Sequence, residues 1–140
     1  MVTIRIATAA ELDLQDVLDL YNSVGWSAYT DKPEVLGAAL AGSSLIVEAR
    51  LGTELAGLAR VISDNATICY LQDILVRPSH QREGIGRMLV TEALARFAHV
   101  RQKVLLTDDE PGQKAFYDSL GYRSTTEFGD GTLRAFVRFD

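Results

Sequence analysis

Gly84 and Gly86 stand two positions apart in VRPSHQREGIGRMLV, residues 76 to 90, where a polar loop gives way to renewed helical periodicity. Inside a helix each glycine costs up to about 1 kcal/mol relative to alanine, so a pair at a helix mouth implies a use. A helix N-terminus presents unpaired N–H groups and partial positive charge, which together suit a phosphate. Glycine lets the backbone come close to a bulky anion, and Arg82 and Arg87 flank the turn as cations. A glycine-rich helix start with no ligand accounts for the local pattern equally well. Two phosphate motifs fail on spacing: the dinucleotide fingerprint needs a third glycine where Leu89 stands, and the P-loop needs Gly-Lys-Ser/Thr.

Asp73 interrupts an apolar run, TICYLQDILV, residues 67 to 76. An unpaired buried carboxylate is costly, so Asp73 is either a working acid–base group or a structural acid paired with Arg60 or another cation. Strand alternation puts Cys69, Leu71 and Asp73 on one face and Tyr70 and Gln72 on the other, unless a bulge re-aims a side chain. Tyr117 is either a core aromatic or a phenol able to donate a proton. His80 and His99 are separated and Cys69 is the one thiol, so no metal-ligand spacing exists. No Gly-x-Ser-x-Gly elbow is present.

These residues need a scaffold, and 140 residues with 47% hydrophobic content suit one domain, 1–140. A formal net charge of −5 argues against nonspecific nucleic-acid binding. The sequence has no membrane span and no signal-peptide pattern, and its lone cysteine excludes an internal disulfide, so a cytoplasmic location is expected. TIRIATA reads as a strand, and Thr8 with Glu11 as a capping box for a helix carrying Leu14, Val17, Leu18 and Tyr21. SVGWSAYTDKP reads as a break, PEVLGAALAG as a helix, and two strands follow around Gly52. The Asp73 strand, a helix over 84–98, the strand KVLLT and the helix GQKAFYDSLGY come next, the last closed by Gly121. RSTTEFG and LRAFVRF read as a terminal hairpin around GDG. The expected fold is α+β (α/β mixed): a sheet of six to seven strands flanked by about four helices.

QREGIG, Gln81 to Gly86, resembles the Q/R-x-x-G-x-G/A signature of the GNAT N-acetyltransferases, with ILVRP before it and AFYDSLGY about thirty residues after it. The proposed element order is also that family's order, so the resemblance covers essentially the whole chain. It implies an acetyl-CoA pyrophosphate held by the backbone of Gln81, Arg82, Glu83, Gly84, Ile85, Gly86 and Arg87. It also implies a pantetheine arm paired with Ile74, Leu75 and Val76, in a sheet splayed between this strand and KVLLT. Tyr117 matches the family's tyrosine beside the CoA sulfur, and Glu110 stands where an asparagine often touches the cofactor. YLQDILV resembles the YLEDxxV segment of spermidine/spermine N-acetyltransferases; Asp73 matches the second acid and Gln72 replaces the first.

The resemblance implies direct transfer of acetyl from acetyl-CoA, with no metal, to a primary amine of a small metabolite such as a polyamine or amino acid. An alkyl amine with a pKa near ~10.4 is almost wholly protonated at neutral pH, a deficit of roughly 4.6 kcal/mol, so removing its proton merits a positioned base. Asp73, Tyr70 with water, or a group elsewhere could serve, and Tyr117 would return a proton to the thiolate. The substrate pocket is expected from Trp26, Tyr29 and Thr30, with Tyr70 and Gln72, and aromatics Phe128 and Phe136 from the hairpin. A protein lysine or N-terminal acetyltransferase and an idle acyl-CoA sensor are the rival readings. A homodimer is common in the family.

Overall fold

β1 (Val2–Ala7), β2 (Leu45–Leu51), β3 (Glu54–Ser63), β4 (Ile68–Val76) and β5 (Gln102–Leu105) form one sheet in sequence order. The first four pair antiparallel and β5 joins β4 in parallel. The computed structural model describes residues 1–140, divided into a unit Met1–Leu106 that holds the sheet and a unit Thr107–Asp140.

One face of the sheet carries α1 (Leu14–Ser23), α2 (Ser27–Thr30) and α3 (Pro33–Ala41). Val17, Leu20 and Tyr21 of α1 and Leu36 and Leu40 of α3 bury against Ile46, Leu55, Leu58 and Leu75. The expected capping box forms, with Thr8 N–H donating to Glu11 Oε1 at 2.8 Å, but it closes a 3-10 turn, Ala9–Glu11. Asp13 caps α1 itself, accepting from Gln15 N–H at 2.8 Å. Glu48 is fully buried on this face, where Arg5 and Arg50 both pair with it. Two cations around one carboxylate are what such burial demands.

The opposite face is covered by α4 (Ile85–Ala95), which packs across β1 to β4. Gly57 of β3 makes this approach possible. A Cβ there would lie 2.9 Å from the Leu75 carbonyl oxygen, 3.0 Å from Leu89 Cδ1 and 3.4 Å from Ile85 Cγ2. Backbone on one side and two helix side chains on the other leave no soft neighbour to yield. Gly57→Ala is expected to destabilise by about 1–3 kcal/mol and lower the melting temperature by roughly 3–10 °C, read by thermal denaturation.

The ladder from β3 to β4 is interrupted once. Val61 pairs with Leu71 and Arg60 with Asp73, so Gln72 has no opposite residue. An extra residue of this kind shifts the alternation of everything beyond it. Leu71 lies across from Val61, whereas Asp73 and Leu75 lie across from Arg60 and Leu58, the face that α1 and α3 cover. Simple alternation, which grouped Asp73 with Cys69 and Leu71, is therefore corrected: the bulge turns Asp73 to the other side.

β4 pairs with β5 only over Ile68–Leu71 and then continues to Val76 with β3 as its one partner. From Gln72 onward β4 therefore has an open edge on the side where the splay is expected. No helix is long and apolar enough to cross a membrane.

In the second unit, α5 (Gln113–Ser119) starts after Gly112 at φ 90° and ends before Gly121 at φ 91°, the left-handed cap expected. The terminal hairpin is not formed, and the sheet has five strands rather than six or seven. Gly129, Asp130 and Gly131 all take positive φ, 48°, 60° and 77°. A two-residue hairpin turn uses at most two such residues. Three in succession coil the chain, and Thr132 N–H returns to the Phe128 carbonyl at 3.2 Å. Phe128 and Phe136 remain 45% and 93% exposed. The helices number five rather than about four because α2 forms inside the segment read as a break.

Candidate active site

β4, the loop after it and the start of α4 carry most of the expected site. Pro78 ends the strand in a 3-10 turn, Pro78–His80, as its missing N–H and fixed φ favour. Gln81 Nε2 then donates to the Val76 carbonyl at 3.0 Å, tying the loop to the strand end. Arg82 and Gly84 both adopt left-handed backbone, φ 65° and 84°, and Gly84 is the N-cap of α4.

A Cβ on Gly84 would meet nothing within 4 Å. This glycine therefore serves backbone conformation, which other L-residues adopt at a cost of about 1–3 kcal/mol. The first intrahelical bond of α4 runs from Met88 N–H to the Gly84 carbonyl, so the amides before it face outward past the helix end. Arg82, Glu83 and Arg87 are exposed, Gly86 is half-buried, and Ile85 is buried beneath the loop. His80 lies between two acids, with Nε2 2.6 Å from Glu54 Oε1 and Nδ1 3.8 Å from Glu83 Oε2. Ile74 and Val76 are half-buried along the open edge, while the Leu75 side chain belongs to the core.

On the α1 face, Asp73 is the centre of a polar cluster. Its Oδ2 accepts from Arg60 Nε at 2.8 Å and from the Tyr21 hydroxyl at 2.9 Å. Its Oδ1 accepts from the Tyr29 hydroxyl at 2.7 Å, and Tyr29 in turn accepts from Gln72 Nε2 at 3.1 Å. Asp73 and Arg60 are buried and Gln72 is exposed. Burial, with the charge and hydrogen bond of Asp73 added, pushes the Tyr21 phenol far above its ordinary range. The Tyr29 phenol is raised by burial and then by its bond to Asp73. Both hydroxyls therefore stay protonated donors at neutral pH.

Trp26 precedes α2, with its ring 5.8 Å from that of Tyr21 and 6.0 Å from that of Tyr29. Thr30 hydroxyl turns back to the Ser27 carbonyl at 3.5 Å. Tyr70 is half-buried, and burial raises its phenol. Of the expected substrate residues, Tyr29 and Gln72 are joined directly by a hydrogen bond.

In the second unit, Tyr117 is 7% exposed on α5. Its ring meets Phe116 edge-on at 5.0 Å and Tyr122 at 6.0 Å. Burial raises its phenol, against which a hydrogen bond with the Thr107 side chain works. No group of three or more His, Cys, Asp or Glu is gathered for a metal.

Sequence reasoning missed Tyr21 as a site residue and Gly57 as the seat of α4. The Tyr21 contact joins residues 52 positions apart, beyond any local pattern. Gly57, a lone glycine inside an apolar strand, was the available sign of close backbone approach.

Residues 16–137 match the acetyltransferase (GNAT) domain family, and the chain belongs to the GNAT acetyltransferases. A GNAT family acetyltransferase from Streptococcus pneumoniae TIGR4 is 33% identical, with TM-score 0.84 and full coverage of both chains. The aminoglycoside N-acetyltransferase AAC(6')-Iy shares the fold at 16% identity and TM-score 0.73, covering 100% of this chain and 99% of its own. A Gibberella zeae protein is 38% identical over 78 residues; the match takes in 54% of this chain and 43% of that protein's length.

Proposed function

We propose that this chain is an N-acetyltransferase that moves the acetyl group of acetyl-CoA directly to a primary amine of a small metabolite. The carrying observation is the open edge of β4 running into the left-handed turn at Arg82 and Gly84 before α4. Backbone amides from Gln81 to Arg87 would hold the diphosphate, with the exposed Arg82 and Arg87 adding charge. The unpaired edge of β4 at Ile74–Val76 would pair the pantetheine amides as a strand is paired. AAC(6')-Iy, solved with a bisubstrate analogue built on CoA, lends the same fold to this reading. Tyr117 is the proposed acid that returns a proton to the departing thiolate. Polyamines and amino acids remain the favoured acceptors, since the acidic chain, at net charge −5, tolerates a cationic amine.

Calorimetric titration with coenzyme A tests the cofactor part. The wild-type chain should bind with measurable heat and a thermal upshift. Gly84→Val should weaken binding about tenfold, equivalent to ~1.4 kcal/mol, because a branched residue strains the left-handed turn. No heat and no upshift in the wild type would end the proposal. Thiol release with a panel of amines then names the acceptor.

A further inference from the structure

The residue that sequence offers as a base is sequestered. Asp73 is 2% exposed, and its two oxygens already accept from Arg60, Tyr21 and Tyr29. A carboxylate has roughly four acceptor positions, so three are occupied by groups anchored in β3, α1 and α2. A general base must reach its proton within about 2.6–3.2 Å, directly or through one water. The fourth position lies on a side chain only 2% exposed, so an amine could reach it only by opening the packing around Asp73. Arg60 also balances the charge, so the cluster offers no surplus negative charge to a substrate.

The same bonds impose an order on Gln72. The Tyr29 hydroxyl has one proton, and the acceptor-only carboxylate of Asp73 takes it at 2.7 Å. Towards Gln72 that hydroxyl can only accept, so the side-chain NH2 must face Tyr29, as the 3.1 Å contact has it. The Gln72 carbonyl Oε1 is thereby turned away from Tyr29. Gln72 is exposed, sits on the bulge, and is the first residue of β4 beyond its pairing with β5. A carbonyl at this point can accept from an amine N–H. Being uncharged, it does so without favouring the ammonium form as a carboxylate would.

We propose that Asp73 is a positioning residue, which, anchored by Arg60 and Tyr21, fixes the Tyr29 hydroxyl so that Gln72 presents its carbonyl oxygen to the acceptor amine. This rests on the acetyl-transfer reading above. Asp73 takes no proton from the amine; its effect passes through Tyr29 to Gln72. The amine nitrogen bonds to the acetyl carbon as the carbon–sulfur bond breaks; the amine gives its proton to solvent water, and the departing thiolate takes one from Tyr117, the acid proposed above.

The test compares Tyr29→Phe, Asp73→Asn, their double variant and Gln72→Leu, using an amine that the wild type acetylates. Tyr29→Phe should raise the acceptor KM about tenfold with kcat within about twofold. Gln72→Leu and Asp73→Asn should do the same, and the double variant should be no worse than Asp73→Asn because both act through one chain of bonds. The pH profile of kcat should keep its wild-type shape throughout. Trp26 is the one tryptophan and touches both tyrosines, so its emission should shift alike in Tyr29→Phe and Asp73→Asn, with no acceptor needed.

A hundredfold loss of kcat in Asp73→Asn, with a lost acid limb and a wild-type KM in Tyr29→Phe, would make Asp73 the proton acceptor and overturn the proposal. Should Asp73→Asn fail to fold, wild-type acceptor KM values in both Tyr29→Phe and Gln72→Leu overturn it instead. If the wild type binds coenzyme A but releases no thiol with any amine, the acetyl-transfer reading fails. In that event unchanged Trp26 emission in Tyr29→Phe and Asp73→Asn overturns the positioning claim as well, and a shared shift supports its anchoring step.

Discussion

Tyr117→Phe is expected to cut kcat by about 10²–10³-fold while the affinity for coenzyme A stays within about twofold. The substitution deletes one oxygen and keeps the ring that packs edge-on against Phe116 and Tyr122 at 5.0 and 6.0 Å. A positioned general acid contributes about 10²–10⁴ in rate; the phenol holds its proton at neutral pH, and burial, which raises its pKa, keeps it protonated while making it a weaker acid. A group whose pKa lies above the working pH holds its proton until the developing thiolate claims it. Loss of the Thr107 hydrogen bond should lower stability by only about 1 kcal/mol, so folding and catalysis separate cleanly. Steady-state turnover with the acceptor, beside a coenzyme A titration, reads both, and unaltered turnover would remove the assigned role.

Arg60→Met should produce the largest loss of stability. Arg60 and Asp73 are 5% and 2% exposed and lie 2.8 Å apart, Nε to Oδ2. Removing one member of a buried pair leaves an uncompensated charge and typically costs about 3–5 kcal/mol. In a chain of this length that lowers the melting temperature by roughly 10–15 °C. Two tyrosine donors remain on Asp73, but neutral hydroxyls cannot replace a guanidinium. The double variant Arg60→Met with Asp73→Asn should recover more than half of the loss, since the amide carries no charge to strand. Thermal melts of the single and double variants provide the check. A melting temperature within 2 °C of wild type in Arg60→Met, roughly half a kcal/mol, would show that water reaches this pair.

The parts of this molecule that sequence discloses are those governed by local rules. The loop from Gln81 to Arg87 is legible because two glycines at a helix mouth need a reason, and at Gly84 the structure adds one, a left-handed φ of 84°. Arg82 shares the conformation at φ 65° with no residue type to announce it. The Gly52 hairpin and the Gly121 cap were readable for the same reason, both glycines having positive φ. α2 escaped because four residues, Ser27–Thr30, cannot establish a helical period.

Alternation alone puts Asp73 on the wrong face because it assumes an unbroken ladder; the bulge that the sequence leaves open is decided by how two strands meet, at Gln72. The Tyr21, Tyr29 and Asp73 group depends on where α1 and α2 settle on the sheet, which no window of neighbouring residues contains. GDG matched a hairpin turn by composition, yet three successive left-handed residues wind it into a coil.

Both flanks of β4 keep their partners on β3 whatever side chain stands at position 72. The residue behaves as an appendage to the scaffold: its chemistry can be exchanged over evolutionary time without re-threading the strands around it. If Gln72 meets the acceptor as proposed, this position is an inexpensive place for acceptor choice to change, where amide, acid or hydroxyl could be tried in turn without disturbing the loop before α4.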